Sequence, residues 1–304
     1  MHSTVLSPPR TDRGWHEDPA LAVVGRHVIA AAGKRFPEAR PGDLAFTLVL
    51  PGKGAATGYA HRGREPGYPA SLVKLFFMVF AEALLETGRI RNTSEVRRAS
   101  QAMIRSSSND ATSYIVDILT GTTSGPALAA GAFARWLHRR QAANRFFAGW
   151  RLPELAGINL VQKTWQEAPY GREHQSCYEI ADNRNRLTSD AVARLLLAIE
   201  RGEVVSPARS RAMKRLMARN PGAINPGNPW DQMTGFLGEG LPPGAGLWSK
   251  AGWSSRTRHD AAIVAPPKGP RFILAVMTSG EALAANRRLL PFIASRVVRG
   301  IEKL

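Results

Sequence analysis

Cysteine is nearly absent from this chain, with Cys177 the only one in 304 residues. A single cysteine can form neither an intrachain disulfide nor a cysteine-based metal cluster. The seven histidines are scattered, which gives no support for a zinc site. The sequence also lacks a Gly-x-Ser-x-Gly elbow, a His-Glu-x-x-His motif, a phosphate loop and a dinucleotide fingerprint. We therefore expect neither a metal nor a cofactor.

Hydrophobic runs long enough for a membrane are also lacking. The apolar run at residues 72–81 is far shorter than the roughly 20 residues that a spanning helix needs. The N-terminal sequence has no charged start followed by an apolar stretch and a small-residue cleavage site. These absences predict a cytoplasmic protein without a membrane span.

Acidic residues are scarce relative to basic ones, 24 Asp and Glu against 41 Lys and Arg, for a formal charge of +17. Such a balance favours anionic partners, although an arginine-rich surface without a specific partner is the alternative. The stretch "FARWLHRRQAANRFFAGWR" mixes arginines with aromatics, as single-strand binders do. On an amphipathic helix, however, the aromatics belong to the core. We expect a small anionic substrate rather than nucleic acid, and the sequence carries no signal for an oligomeric state.

The order of patterned segments predicts an α+β fold. Two β-type runs at residues 43–51 and 55–63 precede helical patterns that extend to about residue 219, and three strands and a helix follow. Short turns favour antiparallel pairing, which predicts a five-stranded antiparallel sheet flanked by N- and C-terminal helices, with an inserted all-helical lobe. The expected units are a flexible tail (1–17), an α/β subdomain (18–68 and 220–304) and a helical subdomain (69–219), with the active site at the seam between the subdomains.

Lys74 lies inside the apolar run, at the start of an expected buried helix. Ser71, three residues earlier, shares a face of its first turn. Burial favours the neutral amine, and a neutral amine beside a hydroxyl can activate a nucleophile. The alternative is a buried serine cap with a lysine that reaches outward to solvent.

Two further segments could contribute to such a site. "MIRSSSNDAT" contains Ser107 and Asn109, a hydroxyl for proton transfer and an amide for a substrate carbonyl, although a turn or N-cap cluster is the alternative. "LWSKAGWSS" places Lys250 and Gly252 on an expected strand. A lysine there could supply positive charge and lower the pKa of Lys74, and a glycine allows close approach. A surface lysine before a bulge is the alternative.

Together, in this order, the three segments resemble the serine β-lactamase and penicillin-binding-protein superfamily, with the class A β-lactamase-like branch the closest. "NRLTSDAVARLL" resembles the helix after that family's omega loop, and "GLPPGAGLWSKAGWSS" resembles the approach to its Lys-Thr-Gly strand. The resemblance extends from about residue 43 to the C-terminus.

The resemblance implies a role for each matching residue. Ser71 would be the acylated nucleophile and Lys74 its general base, and Ser107 would pass the proton to the leaving group. Asn109 would contact both substrate and Lys74, and Lys250 would anchor an acidic group. The remaining implied substrate-binding residues are Ala251, Gly252 and Trp253, and the backbone N–H groups of Ser71 and Trp253 would form the oxyanion hole.

The sequence also departs from the family pattern. Ala251 replaces the usual Thr or Ser, a hydroxyl for which Ser254, Ser255 or Arg256 could compensate. The family's Arg-x-Glu-x-x-Leu-Asn omega-loop pattern is absent. Glu173, within "APYGREHQ", is the expected base for deacylation, chosen over three other loop glutamates, Glu154, Glu167 and Glu179.

Two functional hypotheses follow. The first is a serine hydrolase or acyltransferase that forms an acyl-enzyme on Ser71 with an amide, ester or lactam, β-lactams included, although without efficient β-lactam turnover. The second is a catalytically weak binding protein of the same fold that uses its basic cleft for an acidic partner. Ala251 and the missing omega-loop pattern motivate the second hypothesis.

Overall fold

A computed structural model describes residues 14–52, 54–165, 167–222, 227–228 and 231–304. One layer is a seven-stranded sheet in the order β1-β3-β2-β7-β6-β5-β4, antiparallel except for β1 and β3. The strands are β1 (Trp15–Glu17), β2 (Leu44–Leu50), β3 (Ala56–His61), β4 (Ala218–Arg219), β5 (Gly246–Ser254), β6 (Thr257–Ala265) and β7 (Phe272–Thr278).

The α+β fold is confirmed, but the sheet has seven strands where the sequence predicted five. The two additional strands, β1 and β4, are only three and two residues long. Segments this short carry no readable alternation of apolar and polar residues. Residues 1–13 of the expected flexible tail lie outside the described residues, but Trp15–Glu17 are ordered in β1. Gly58 of β3 makes room for this strand, because a Cβ there would lie 2.6 Å from Cδ1 of Trp15.

Terminal helices cover one face of the sheet. The helix α1 (Pro19–Arg35) begins after Asp18, whose Oδ1 accepts hydrogen bonds from the amides of Ala20 and Leu21. The C-terminal segment forms two helices, α10 (Glu281–Ala285) and α11 (Leu289–Ile301). Asn286 separates them, because its Oδ1 caps α11 by accepting from the amide of Leu289. A buried cluster of apolar residues joins α1 and α11 to the sheet.

The helical insertion lies between β3 and β4 in the chain. Its helices are α2 (Val73–Glu86), α3 (Ser94–Arg105), α4 (Asn109–Thr120), α5 (Ala130–Arg140), α6 (Ala142–Ala148), α7 (Gly171–His174), α8 (Ser189–Glu200) and α9 (Pro207–Met217). A second buried cluster is centred on α2 and α8 and extends to the sheet. The boundaries of the two subdomains stay predictions. Within the described ranges, no helix has the length and hydrophobicity to cross a membrane. The cytoplasmic location stays a prediction.

Candidate active site

Ser71 lies in a short 3-10 turn, Ala70–Leu72, directly before α2. The turn places Ala70 in the left-handed region, at a φ of 45°, which is unfavourable for a residue with a side chain. Such strain concentrates at functional sites, where surrounding packing maintains it. Ser71 is partly exposed and lines a cleft, whereas Leu72 and Val73 are fully buried.

The side chain of Lys74 is fully buried, yet its amine contacts only neutral oxygen atoms. Lys74 Nζ donates to the carbonyl oxygen of Ser107 (2.5 Å) and to Oδ1 of Asn109 (2.9 Å), and lies 3.2 Å from Oγ of Ser107. Burial lowers the pKa of Lys74 from 10.5 to about 7. A substantial fraction of the amine is therefore neutral near pH 7, as a general base requires.

The segment Ser107 to Asn109 forms the link between α3 and α4. Ser108 is the N-cap of α4, with its Oγ accepting from the amide of Ala111. Ser107 has a left-handed backbone, at a φ of 55°, and its hydroxyl lies within hydrogen-bonding distance of two lysine amines, Lys74 and Lys250. The alternative of an N-cap cluster is thus correct for Ser108. Ser107 and Asn109, in contrast, contact the buried lysines.

Lys250, on β5, is fully buried, and its amine donates hydrogen bonds to three neutral oxygen atoms. Its Nζ donates to Oγ of Ser107 (2.9 Å), Oε1 of Gln232 (2.7 Å) and the carbonyl of Ala251 (2.6 Å). Burial, followed by the charge of Lys74, lowers the pKa of Lys250 well below 10.5. The sequence analysis expected the charge of Lys250 to lower the pKa of Lys74. In the structure, burial is the cause of the lowered pKa of Lys74.

Gln232 belongs to this cluster although the sequence analysis did not identify it. Its Oε1 accepts from Lys250 Nζ and from the amide of Ala251 (3.2 Å). Its Nε2 donates to the carbonyls of Ile104 and Arg105 at the end of α3. No motif marks this residue, because the contacts join three segments that are distant in the chain.

Gly252 packs against the nucleophile turn. A Cβ on Gly252 would lie 2.9 Å from the amide nitrogen of Ser71 and 3.0 Å from that of Leu72. The expected close approach is therefore made by the protein's own backbone. The amide of Ala251 donates to Gln232 and so points to the edge of β5 that faces away from β6. Residues two apart in a strand have the same orientation, so the amide of Trp253 points to this edge as well.

Ala251 does not have the position expected of a substrate-binding residue. Its side chain is fully buried in the apolar cluster beneath the sheet and does not line the cleft. Strand alternation explains the difference, since the side chain of Lys250 projects to the face opposite that of Ala251. Arg256 also does not line the cleft, but Ser254 and Ser255 do.

The cleft has a volume of about 540 Å³. It is lined by two predicted catalytic residues, Ser71 and Ser107, and by two predicted substrate contacts, Asn109 and Trp253. The described residues that line it are Tyr68, Ala70, Ser71, Ser107, Asn109, Thr164, Trp165, Trp253, Ser254 and Ser255. Within this set there is no carboxylate.

Glu173 is not brought to this cleft. Its buried carboxylate is bound by Arg140 at 2.7 and 3.1 Å and accepts from Oγ of Ser124 at 2.9 Å. The structure thus makes Glu173 an ion-pair partner of a buried arginine, outside the described cleft lining, and its assignment as the base for deacylation stays a prediction. The three other loop glutamates considered, Glu154, Glu167 and Glu179, do not line the cleft either.

Comparisons with known proteins agree on one family. Residues 38–300 match the family described as the beta-lactamase enzyme family. The structure resembles PBP-A, with a TM-score of 0.65 and 18% identity over 97% of this chain and 100% of that one. It also resembles a beta-lactamase from Sphaerobacter thermophilus, with a TM-score of 0.63 and 18% identity over 92% and 97% of the two chains. A beta-lactamase from Xanthomonas campestris has a TM-score of 0.62 and 18% identity over 93% and 98%. A search of curated proteins found no match.

Proposed function

The chain belongs to the beta-lactamase enzyme family, and on that basis we propose a serine hydrolase or acyltransferase that works through an acyl-enzyme on Ser71. Its substrate would be a small amide, ester or lactam, β-lactams included, with an anionic group. The observation that carries the proposal is the buried Lys74 amine, whose pKa is about 7, one helical turn after a serine that lines the cleft.

Acylation would begin with proton transfer from the Ser71 hydroxyl to the neutral Lys74 amine. Ser71 Oγ would then form a bond to the substrate carbonyl carbon. The amides of Ser71 and Trp253 would stabilise the resulting oxyanion. Collapse would break the bond to the leaving nitrogen or oxygen, which would take the proton of the Ser107 hydroxyl. Lys74 would return its proton to Ser107, which its Nζ approaches at 3.2 Å.

Lys250 and Asn109 would each contact a catalytic residue and help to bind the substrate. Lys250 lies 2.9 Å from the Ser107 hydroxyl. An acidic group of the substrate would favour the protonated form of this amine, whose pKa is lowered by burial. Asn109 accepts from Lys74 through Oδ1, which leaves its amide N–H groups for a substrate carbonyl.

Deacylation by water would be slow. A glutamate that activates water must reach the ester carbon, and the residues that line the cleft include no carboxylate. The acyl-enzyme would therefore persist longer than in an efficient β-lactamase. This supports transfer to another acceptor, or slow hydrolysis, as the second half of the reaction.

The second candidate function is a catalytically weak binding protein with the same fold. Two observations favour it, the absence of a cleft carboxylate and the burial of Ala251 where a hydroxyl is usual. Its expected property is a salt-dependent affinity for an anionic partner such as nucleic acid or anionic lipid, without covalent labelling of Ser71.

Intact-protein mass spectrometry distinguishes the two functions. The protein is incubated separately with a fluorophosphonate, a penicillin and a cephalosporin, with Ser71→Ala as the control. A single-residue mutant of PBP-A forms an acyl-enzyme with penicillin G, which makes a penicillin a suitable reagent. We expect a long-lived adduct that is lost in the variant. The absence of any adduct would reject the enzyme proposal and favour the binding protein.

A further inference from the structure

Two residues of the cleft carry buried polar atoms that have no hydrogen-bond partner among the described residues. They are Oγ1 of Thr164 and Nε1 of Trp165, and both side chains line the cleft that contains Ser71. A buried donor without a partner is unfavourable, because it has lost its hydrogen bonds to water without replacement. Unsatisfied groups of this kind are uncommon in native proteins and call for an explanation.

The groups proposed for acylation do not provide a hydrogen-bond partner for either of these two atoms. The amines of Lys74 and Lys250 are held by Ser107, Asn109 and Gln232. Thr164 and Trp165 contribute nothing to that network, although they share the cleft with Ser107 and Asn109. Neither polar atom is therefore committed to that network.

The segment before Thr164 is fixed from several sides. Asn185 Oδ1 accepts from the amides of Val161 (2.9 Å) and Gln162 (2.8 Å), and its Nδ2 donates to the carbonyl of Gln162 (2.7 Å). Lys163 Nζ donates to Asp117 Oδ2 (2.7 Å) and to Ser124 Oγ (2.8 Å). A backbone held in this way presents its side chains in one arrangement, which is favourable for selective binding.

The chemistry of the two groups defines what they can bind. An indole N–H only donates, and a threonine hydroxyl can donate or accept. The cleft lining contains no carboxylate to receive these donors. The buried Lys163 amine lies 5.6 Å from the centre of the Trp165 ring, where its charge is paired with Asp117. An acceptor oxygen is therefore the complementary ligand atom.

We propose that Thr164 and Trp165 form a subsite for an acceptor oxygen, a ketone, amide carbonyl or carboxylate, carried by the acyl group that becomes attached to Ser71. The subsite selects acyl groups by the distance between this oxygen and the reacting carbonyl. The inference rests on the acyl-Ser71 mechanism proposed above.

Two nearly isosteric variants test the subsite. Thr164→Val removes the hydroxyl, and Trp165→Phe removes the N–H while it keeps an aromatic ring. The substrates are p-nitrophenyl oxoalkanoates, in which the ketone is moved by one methylene at a time, each compared with the plain alkanoate of equal chain length. Acylation is followed by nitrophenolate release.

We expect one ketone position to be preferred by the wild-type protein. Each variant should lower kcat/KM for that ester about tenfold, the effect of one lost hydrogen bond. The plain alkanoate should change less than about twofold. Trp136→Phe is the matched control, because Trp136 Nε1 donates to the carbonyl of Thr123, outside the cleft. This control should leave the ketone preference unchanged.

Fluorophosphonate labelling separates the two proposals. If wild-type Ser71 is labelled but no ketone position is preferred, the subsite inference is wrong and the acyl-enzyme proposal stands. If the variants lower both kinds of ester equally, the two residues are structural and the inference is again wrong. If wild-type Ser71 is not labelled at all, the acyl-enzyme proposal itself fails, and the subsite inference fails with it.

Discussion

Gly252 is pressed against the amide of Ser71 so closely that a Cβ on the glycine would lie 2.9 Å from that nitrogen. The contact joins β5 directly to the turn before α2, so that the strand with Lys250 and the turn with the nucleophile cannot shift independently. The close packing fixes the spacing of the two amides proposed for the oxyanion hole.

Gly252→Ala tests this contact. The neighbouring atoms belong to backbone, which cannot move aside as a flexible side chain could, so we expect a loss of about 1–3 kcal/mol in the free energy of unfolding. The rate of fluorophosphonate labelling of Ser71 should fall at least about tenfold, because the oxyanion donors are displaced. Gly42→Ala is the control, since a Cβ there meets no atom within 4 Å. Unchanged labelling in Gly252→Ala would show that the turn tolerates displacement.

The pH dependence of labelling tests the protonation state of Lys74. The neutral amine is the reactive form, and the pKa of Lys74 is about 7. The rate constant should rise with pH through a midpoint of about 7 and level off above it, after subtraction of the reagent's own hydrolysis. Lys74→Arg should lower the plateau by about 10²-fold or more. A midpoint near the ordinary lysine value of 10.5 would be incompatible with this base.

The same lowered pKa predicts a pH-dependent stability. The unfolded chain retains the Lys74 proton up to about pH 10.5, whereas the folded protein releases it near pH 7. Between these values the unfolded state binds more protons, so this group makes stability rise with pH. The Tm of Lys74→Met minus that of the wild type should therefore be largest at or below pH 7. This difference should decline towards pH 10. Lys34→Met, at an exposed position, is the control for the loss of a lysine.

Gln232→Leu tests the residue that connects Lys250 to the end of α3. The variant keeps a similar volume but removes an acceptor from Lys250 and a donor from the carbonyls of Ile104 and Arg105. We expect a loss of about 1–3 kcal/mol in stability. Labelling should also slow, and more for an anionic β-lactam than for a neutral fluorophosphonate. Equal slowing with both reagents would indicate a purely structural role.

Glu173→Gln separates an ion-pair role from a catalytic role. The change removes the nearer carboxylate of the buried Arg140 guanidinium and leaves only Asp117 Oδ1, at 3.4 Å, among the described carboxylates that pair with it. Breaking a buried pair costs about 3–5 kcal/mol. A lower Tm is expected, with an unchanged lifetime of the penicillin adduct at temperatures where the variant is folded. Glu167→Gln, at an exposed position, should alter neither property. A longer adduct lifetime in Glu173→Gln with an unchanged Tm would support the sequence-based assignment.

The sequence predicted the main strands and the residues grouped around Lys74 because each lies in a strongly patterned element. Lys74 interrupts an apolar helix, and Lys250 lies in an alternating strand. The sequence also predicted that another group would approach Gly252 closely. That group is the protein's own backbone at Ser71 and Leu72.

Contacts between distant segments could not be predicted in this way. Gln232 has no local pattern that indicates its position beside Lys250. Glu173 was chosen for its loop, whereas its role is determined by Arg140, which reaches it from the end of α5. Likewise β1 and β4 exist through pairing with a neighbouring strand rather than through their own sequence.

The middle of the sheet joins the two ends of the chain, since Leu44 of β2 lies opposite Thr278 of β7. During synthesis, β1, β2 and β3 emerge before the other strands. The β2 edge that pairs with β7 must wait until the helical insertion and the last strands have been made. Until then this apolar edge is open to aggregation. Pairing over such a sequence distance is slow to form, so the helical insertion has time to fold first. The cleft, which needs β5 beside Ser71, is then completed only when the sheet closes.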